Sequence, residues 1–431
     1  MSITVNVSEL SDSYLENINK ELKIELKDKY SFGPARYFIP YDVAEDGASA
    51  IIPFAYAVRK LKQKRRARGM FNGLEDELGN RVSFDGSLRD EQEVVKQEAI
   101  EILNKRGSVI LSMYCGFGKT ITSINLAVTI GMKTLVVVNK LVLMSQWEES
   151  VKRFAPGCKV IKVTPSSKKA KDDAVDADFV IINAINMSKL GTDFFETIGT
   201  VIVDEAHLIM AETVSKCMNV VSPRYLIGLT ATPYRPDGLD SLLEFYFGSD
   251  KIIRDLYREH IVYKVNTGFE PTVELTEQGR LNWGSVLDSQ SKDDARNQLI
   301  VDIIRKHADR TFLVLVKRVE QGNLLERMLL EAGEDVTSLV GSKQTFEASS
   351  RILLGTCSKV GTGFDHPTLD TLLLAADVEE YFIQYLGRCM RTRSGVPIVF
   401  DLVDENGVLK KHYNTRKKIY KKHGGTIKEY N

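Results

Sequence analysis

The strongest constraint on the fold is a series of short, β-branched apolar runs that alternate with longer amphipathic stretches. Five runs form a first set and four form a second: 108–113, 134–138, 179–182, 200–205 and 225–230, then 311–316, 351–356, 371–376 and 396–402. Continuous apolar runs of this length are typical of strands buried on both faces of a sheet. Because they alternate with helical segments, they predict βαβ units and an α/β protein with two tandem parallel-sheet lobes.

The spacing of the runs also predicts the domain organisation. A chain of 431 residues is too long for one ordinary domain. The polar segment from about 248 to 310 separates the two sets, and we expect it to connect the lobes and lead a helix into the second. Residues 1–85 have a different, mixed pattern. We therefore expect a small accessory domain in 1–85, a first lobe in 86–250 and a second lobe in 251–431.

Composition excludes several classes of protein. Lys plus Arg and Asp plus Glu number 58 each, so a nucleic-acid-binding face requires local segregation of charge. The five cysteines are scattered singly, which argues against a zinc knuckle or a disulfide framework. The start of the chain does not resemble a signal peptide, and no apolar run approaches the roughly 18 residues of a membrane span. We expect a soluble, cytoplasmic protein that does not contact a membrane.

A phosphate-binding loop is indicated where the run 108–113 is followed by YCGFGKT and a helical pattern. In this arrangement, glycines let backbone N–H groups point at phosphates, and the helix N-terminus adds its positive end. Lys119 is expected to reach the β and γ phosphates of ATP, and Thr120 to ligate Mg²⁺. Met113 occupies the place of the usual first glycine. The other loop residues expected to bind ATP are Cys115, Gly116, Phe117 and Gly118.

A pair of acids follows another predicted strand, in the sequence VIVDEAH at 201–207. A carboxylate at a strand end can hold Mg²⁺, and its neighbour can orient or deprotonate the attacking water. We assign Asp204 to the metal and Glu205 to the water. Upstream, Gln92 follows Arg89 in a second candidate ATP-binding segment. The Gln92 amide either reads the adenine edge or is an ordinary exposed group at a helix start.

Further candidates would couple hydrolysis to movement. His207 follows the acid pair, and Thr230 and Thr232 at the end of a strand have hydroxyls that can bond the acids and sense the γ phosphate. In the second lobe, Gln384 precedes a pair of arginines.

The same second-lobe segment predicts groups that complete the ATP site. Arg388 and Arg391 are three residues apart and would share one face of a helix. Guanidinium groups neutralise charge on a transferring phosphoryl group, so we expect both to enter the site across the cleft between the lobes. Hydrolysis would then depend on lobe closure. Gly363 allows close backbone approach, and Asp365 can accept a hydrogen bond from a ribose hydroxyl.

Taken in order, seven blocks of the sequence resemble the superfamily 2 helicases over residues 84–410: LRDEQ, CGFGKT, VVVNKLVLMSQW, VDEAH, GLTATPYRPDG, TCSKVGTGFD and QYLGRCMR. The CGFGKT, DEAH and TATPYRPDG blocks are similar to the XPB-type branch, which includes phage recombination helicases and poxvirus-type transcript-release helicases. The resemblance implies RecA-like lobes, ATP and Mg²⁺ as cofactors, and 3′-to-5′ movement. In the Arg-Glu-Asp triplet of XPB proteins, Pro236 replaces the acid here, between Arg235 and Asp237.

In motors of this kind a nucleic-acid strand crosses both lobes and is held mainly by its phosphates, without sequence readout. Trp147 is interpreted as a core residue rather than a base-stacking platform. The basic runs 59–68 and 410–422 either grip duplex DNA or form solvated helix faces. Candidate contacts on the two lobes are Asn139, Lys140, Gln146, Asn183 and Arg235, then Lys317, Arg318 and Lys359.

The leading hypothesis is an ATP-dependent DNA helicase or translocase that acts as a monomer on single-stranded, forked or branched DNA. It would serve replication, recombination or repair in a virus or phage, with residues 1–85 selecting forks or junctions. The alternatives are a transcript-release factor with the same motor, partnered with transcription proteins, and a nucleic-acid-binding protein with an inactive ATP site. The residues themselves leave RNA open as a substrate.

Overall fold

The computed structural model describes residues 1–26, 36–44, 47–75, 81–231, 239–277, 281–360, 366, 368–378, 382–390 and 395–430. The chain forms two compact units, Met1–Arg254 and Asp255–Asn431. Among the described helices, none combines the length and the apolar composition that a membrane-crossing segment needs.

The first part of the first unit is a small α+β layer. Strands β1, β5 and β4 form an antiparallel sheet, and β2 pairs with β3. Ser2 N donates to Val221 O at 3.0 Å, and hydrophobic residues of this layer join the same core cluster as Leu242 and Phe247. Residues 1–85 therefore belong to the same compact unit as residues 86–254. The elements are β1 (Ser2–Asn6), α1 (Asp12–Glu21), β2 (Ile24–Leu26), β3 (Arg36–Phe38), β4 (Asp42–Val43), β5 (Ser49–Pro53) and α2 (Phe54–Arg59), with short 3-10 turns at Val7–Glu9 and Arg68–Met70.

The rest of the first unit is a parallel sheet of seven described strands flanked by helices. In chain order these elements are α3 (Asp90–Arg106), β6 (Ser108–Met113), α4 (Lys119–Ile130), β7 (Thr134–Val138), α5 (Leu141–Phe154), β8 (Val160–Val163), α6 (Lys168–Asp173), β9 (Phe179–Asn183), 3-10 turns Ala184–Lys189 and Thr192–Phe195, β10 (Thr200–Val203), α7 (Ala206–Ile209), α8 (Glu212–Cys217), β11 (Tyr225–Thr230), α9 (Asp240–Phe247) and β12 (Lys251–Arg254). Across the sheet the order is β12-β6-β11-β10-β7-β9-β8.

Both faces of this sheet are covered, which explains the continuous apolar runs. Every residue of β6 is buried. Successive side chains point to opposite faces: Ile110 joins one hydrophobic cluster, while Val109 and Leu111 join the other. Fully burying a Val, Leu or Ile side chain contributes about 1.5–3 kcal/mol, so both faces stabilise each strand.

The second unit has the same architecture. Its elements are β13 (His260–Asn266), β14 (Glu274–Leu275), β15 (Leu281–Asn282), α10 (Trp283–Lys292), α11 (Asp294–Lys306), β16 (Phe312–Val316), α12 (Val319–Glu331), β17 (Val336–Leu339), β18 (Ile352–Thr356), α13 (Cys357–Val360), β19 (Thr371–Leu374), α14 (Phe382–Cys389), β20 (Ile398–Val403), α15 (Gly407–Lys422) and β21 (Gly425–Glu429). Seven of its nine described strands form one parallel sheet, in the order β17-β18-β16-β19-β20-β13-β21. The predicted α/β class with two tandem parallel-sheet lobes is confirmed.

The polar segment from about 248 to 310 is more than a connection with one helix. It contains β12, which completes the first sheet, and β13, which lies inside the second. It also contains the β14–β15 hairpin and two helices, α10 and α11. The division between the compact units falls after Arg254.

The basic run 59–68 has structural partners. Arg59 forms an ion pair with Asp250 (Nη1–Oδ2 2.6 Å) and donates to Phe247 O. Arg65 donates to Leu103 O at the end of α3, and Arg68 donates to the last carbonyls of α4. Cations at helix C-termini satisfy unpaired carbonyls and complement the helix dipole. These three arginines therefore hold the segment that follows the small α+β layer against the parallel sheet domain of the first unit.

The basic run 410–422 is the helix α15, and one of its cations is buried. Arg416 pairs with Asp401 (Nη2–Oδ1 2.7 Å) and with Asp377 (Nη1–Oδ1 2.8 Å). The Asp401 charge raises the pKa of Arg416 against the effect of burial. Tyr420 on the same helix face also donates to Asp401. This face of α15 holds the helix against its own lobe, while five of its six lysines are exposed and Lys417 is half-buried.

Candidate active site

The phosphate loop lies between β6 and α4, with Lys119 as the first residue of the helix. Gly116 and Gly118 have φ angles of +95° and +97°, which favour glycine. A Cβ at Gly118 would collide with Gln92 Nε2, so a side chain there would have to displace Gln92. Lys119 Nζ donates to Met113 O at 3.0 Å, which holds the ammonium group inside the loop. The loop has the backbone shape and the cation that phosphate binding requires.

Two residues of the upstream segment brace this loop. Gln92 is buried, and its Nε2 donates to Phe117 O at 2.7 Å while its Oε1 accepts from Arg89 N at 2.9 Å. The Arg89 guanidinium also donates to Phe117 O. Both ends of the Gln92 amide are thus engaged in supporting the loop. Adenine recognition by Gln92 stays a prediction, and it would use the second N–H of the amide.

Asp204 follows β10 and is held by two hydrogen bonds. Trp147 Nε1 donates to Oδ2 at 2.9 Å, and Glu205 N donates to Oδ1 at 2.9 Å. Burial, reinforced by the charge of Glu205, raises the pKa of Asp204 to about 6. The Trp147 hydrogen bond and the charge of Lys119 act in the opposite direction, so the loop lysine lies within electrostatic range of this acid.

Glu205 adopts a left-handed backbone conformation, with φ +48°. This conformation costs roughly 1–2 kcal/mol in a residue with a side chain and is common at functional sites. Its buried Oε2 accepts no hydrogen bond from the described residues, and His207 Nδ1 lies 3.6 Å away. The oxygen is therefore able to accept a proton or hydrogen bond from a water molecule.

Thr230 connects the acid pair to the neighbouring strand. Its Oγ1 lies 2.8 Å from His207 Nδ1, at the carboxyl end of β11, which pairs with β10. The hydroxyl thus contacts the histidine that follows the acids. Thr232 lies outside the described residues.

The donors present fit a magnesium nucleotide. Thr120 lies one residue after Lys119 at the start of α4, and Asp204 offers a buried carboxylate. Among the described residues, no group of three or more His, Cys, Asp or Glu side chains forms a self-contained metal site. Mg²⁺ commonly takes one or two protein oxygens and completes its octahedron with phosphate and water. Thr120 and Asp204 would provide such a set.

Three of the first-lobe residues predicted to contact nucleic acid, Asn139, Lys140 and Asn183, lie at the same edge of the sheet as the acids, because β7, β9 and β10 are parallel neighbours. Asn139 Oδ1 is buried without a hydrogen-bond donor among the described residues. Lys140 immediately precedes α5, and Gln146 lies within that helix. Asn183 Oδ1 accepts from Ile185 N at 3.3 Å, so it also caps a 3-10 turn. Arg235 lies outside the described part.

The second-lobe candidates follow β16 and β18, which are also parallel neighbours. Lys317 is half-buried, whereas Arg318 pairs with Asp288 (Nε–Oδ1 2.6 Å). Lys359 donates to the carbonyl of Lys343.

The α14 candidates lie on a single helix face. Gln384 and Arg388 are four residues apart, and both are buried. Entry of Arg388 into the ATP site stays a prediction. Gly363, Asp365 and Arg391 lie outside the described residues.

Trp147 is the functional residue that sequence reasoning missed. The prediction that it packs in the core is confirmed, since only 1% of it is exposed. Its N–H also donates a hydrogen bond to Asp204. The available signal was chemical: a buried indole N–H usually finds a hydrogen-bond partner.

Comparison with known sequences shows which family this chain belongs to. Residues 85–235 match the family model described as "Type III restriction enzyme, res subunit". The chain is 42% identical to "Putative helicase 161L" of Invertebrate iridescent virus 6, over 100% of both chains. It is 33% identical to "Putative helicase 055L" of Frog virus 3, over 89% of this chain and 87% of that protein. It is 24% identical to "Putative ATP-dependent RNA helicase L396" of Acanthamoeba polyphaga mimivirus, over 81% of this chain and 70% of that protein.

A solved structure shows the same fold at low sequence identity. S. cerevisiae Dbp5 bound to RNA and ADP BeF3 matches with a TM-score of 0.56 and 15% identity. The match covers 78% of this chain and 89% of the Dbp5 chain. The two parallel-sheet lobes are therefore RecA-like.

Proposed function

We propose, since this chain belongs to a viral family of superfamily 2 helicases, that it is an ATP-driven motor that moves on DNA and remodels forks or branched junctions. The family assignment makes it an ATP-dependent nucleic-acid helicase. The finer assignment, to DNA and to branched substrates in viral replication, recombination or repair, is our proposal.

The observation that carries the proposal is the pairing of a phosphate loop with two differently held acids. Asp204 has both carboxylate oxygens hydrogen-bonded, whereas Glu205 keeps a buried oxygen without a donor among the described residues. A fixed carboxylate suits a metal site, and an available one suits a water nucleophile. The carboxylates of Asp204 and Glu205 are thus suited to different roles by their surroundings.

The roles follow from this arrangement. Thr120 and Asp204 would hold Mg²⁺, which would supply positive charge to the site when bound. Lys119 exchanges its bond with Met113 O for phosphate oxygens. Glu205 orients the attacking water and accepts its proton. Arg388 would complete the charge neutralisation when the lobes close.

The choice of DNA rests on the XPB-like blocks of the sequence. CGFGKT, DEAH and TATPYRPDG together resemble that branch, and with it we propose the DEAH type and 3′-to-5′ movement. Proline at position 236 departs from the branch pattern, so we assign no unwinding role to that triplet. Residues 1–85 are the proposed substrate-selecting part, with Lys23 Nζ placed 4.1 Å from the centroid of the exposed Tyr37 ring.

RNA is the second candidate substrate, because the mimivirus relative is named an RNA helicase. The fold does not favour either polymer, since phosphate contacts along a single strand are common to both.

The test is ATP hydrolysis by the full chain in the presence of single-stranded DNA, duplex, fork, four-way junction or single-stranded RNA. We expect fork and junction DNA to stimulate most. Lys119→Ala should abolish turnover and leave DNA binding intact, whereas Lys152→Ala, which removes only an exposed ion pair with Glu148, should change neither. Stimulation by RNA alone would contradict the DNA assignment, and hydrolysis by Lys119→Ala would remove the site assignment.

A further inference from the structure

Helix α5 connects a solvent-facing edge of the first lobe to the catalytic acids. It starts directly after β7, and its first residues, Leu141 and Val142, are 67% and 50% exposed. Trp147, fewer than two turns later, is almost fully buried. One short helix therefore has an accessible first turn and a buried anchor.

The anchor is the hydrogen bond from Trp147 Nε1 to Asp204 Oδ2, at 2.9 Å. Because the other carboxylate oxygen accepts from Glu205 N, these two donors together fix the plane of the carboxylate. The Trp147 ring is held in turn by the core cluster that contains Leu143 and Val151 of the same helix. The orientation of Asp204 thus follows the position of α5.

A second link joins the start of α5 to Glu205. Lys140 is the residue immediately before the helix, and the charge of Glu205 acts on its ammonium group. Burial lowers the pKa of Lys140, and the Glu205 carboxylate opposes that shift. A phosphate that binds Lys140 would compete with Glu205 for the same cation.

We infer that α5 makes ATP hydrolysis depend on bound nucleic acid. Trp147 is a positioning residue that orients Asp204, and nucleic acid that binds at the first turn of α5 acts on the acids through Trp147. This inference rests on the proposed function, and it adds the route of regulation. Trp147 contacts neither ATP nor the nucleic acid in this mechanism. Its effect is transmitted through Asp204.

Removal of the indole N–H has a defined geometric consequence. Trp147 Nε1 and Glu205 N each donate to one oxygen of the Asp204 carboxylate, so loss of the indole donor should allow that carboxylate to rotate away from its metal-binding orientation. Hydrogen bonds to charged groups are worth enough to change kcat by about ten-fold or more.

The experiment compares Trp147→Phe with Phe154→Leu, a control in the same helix whose ring stacks on Phe84. For each full chain, kcat and KM are measured with and without single-stranded DNA, and DNA affinity is measured separately. We expect Trp147→Phe to lower kcat by about ten-fold and to reduce the stimulation ratio towards one. KM for ATP and DNA affinity should change little.

A second variant removes the N–H without creating a cavity. The chain has two tryptophans, so in a Trp283→Phe background the analogue 3-benzothienyl-alanine replaces Trp147 alone, with sulfur in place of the N–H. It should reproduce the kinetics of Trp147→Phe. A kcat and a stimulation ratio equal to those of the control would overturn the inference. If Lys119→Ala hydrolyses ATP like the unmodified chain, the proposed function fails instead.

Discussion

Replacement of Asp204 by asparagine should stabilise the first unit while abolishing hydrolysis. Burial raises the pKa of Asp204 from 3.8 to about 6. Each pKa unit corresponds to about 1.4 kcal/mol, so ionisation of this group costs the folded state roughly 3 kcal/mol at neutral pH. Asparagine avoids that cost. Its amide offers one acceptor oxygen to the two donors, Trp147 Nε1 and Glu205 N, so one hydrogen bond is lost. That loss costs about 1 kcal/mol of the gain. The net expected gain is about 2 kcal/mol.

The sign of the pH dependence is a stricter test than the magnitude. A carboxyl group with a raised folded-state pKa contributes no destabilisation below its unfolded pKa of 3.8, and the full amount above about pH 6. The advantage of Asp204→Asn should therefore be about 2 kcal/mol at pH 7.5 and close to zero near pH 4.5. Loss of a metal ligand should also lower hydrolysis by several orders of magnitude.

Urea unfolding provides the measurement, because the two tryptophans report on different units. In a Trp283→Phe background, fluorescence from Trp147 follows the first unit alone. The exposed Asp193→Asn variant controls for the change in net charge. A gain in stability that is equal at both pH values, or a loss of stability at pH 7.5, would refute the interpretation that ionised Asp204 destabilises the folded state.

Two further predictions concern the loop and the second unit. Gly118→Ala should weaken nucleotide binding at least ten-fold, measured by titration with a fluorescent ATP analogue, because its Cβ would displace Gln92 and its φ of +97° is unfavourable for alanine. Binding as tight as in the unmodified chain would contradict the assigned loop geometry. Arg416→Leu should destabilise the second unit by about 3–5 kcal/mol, since it leaves Asp377 and Asp401 buried without their cation. Trp283 fluorescence in urea measures this loss, and a change below about 1 kcal/mol would show that the pair is not electrostatically important.

The strands that the sequence predicted and the strands that it missed differ in their place in the sheets. All nine apolar runs form strands, and all nine lie in the interior of their sheets. Of the strands missed, β8 and β12 form the two edges of the first sheet, and β17 and β21 form the edges of the second. One interior strand, β13, was also missed, because its sequence HIVYKVN alternates apolar and polar residues. An edge strand exposes part of its surface, so it keeps polar residues such as those of GTIKE in β21. Continuous hydrophobicity therefore identifies the middle of such a sheet better than its rim.

The candidate site was predictable to the extent that topology determines it. The loop after β6 and the acids after β10 approach each other because the carboxyl ends of parallel strands share one edge. The contacts within the site were not predictable in this way. Gln92 supports the loop through Phe117 O, and Trp147 binds Asp204, because side-chain directions in the folded protein place them there. Sequence spacing carries no information about these two bonds.

The cations of the two basic runs show that a run of Lys and Arg can serve the fold itself. Arg59, Arg65 and Arg68 donate to backbone carbonyls, and Arg416 pairs with buried carboxylates. A basic run in the sequence therefore does not by itself identify cations that are available to phosphates. Topology is more specific: Lys140 follows β7 at the edge of the sheet that carries the acids, because parallel neighbouring strands bring their carboxyl ends together.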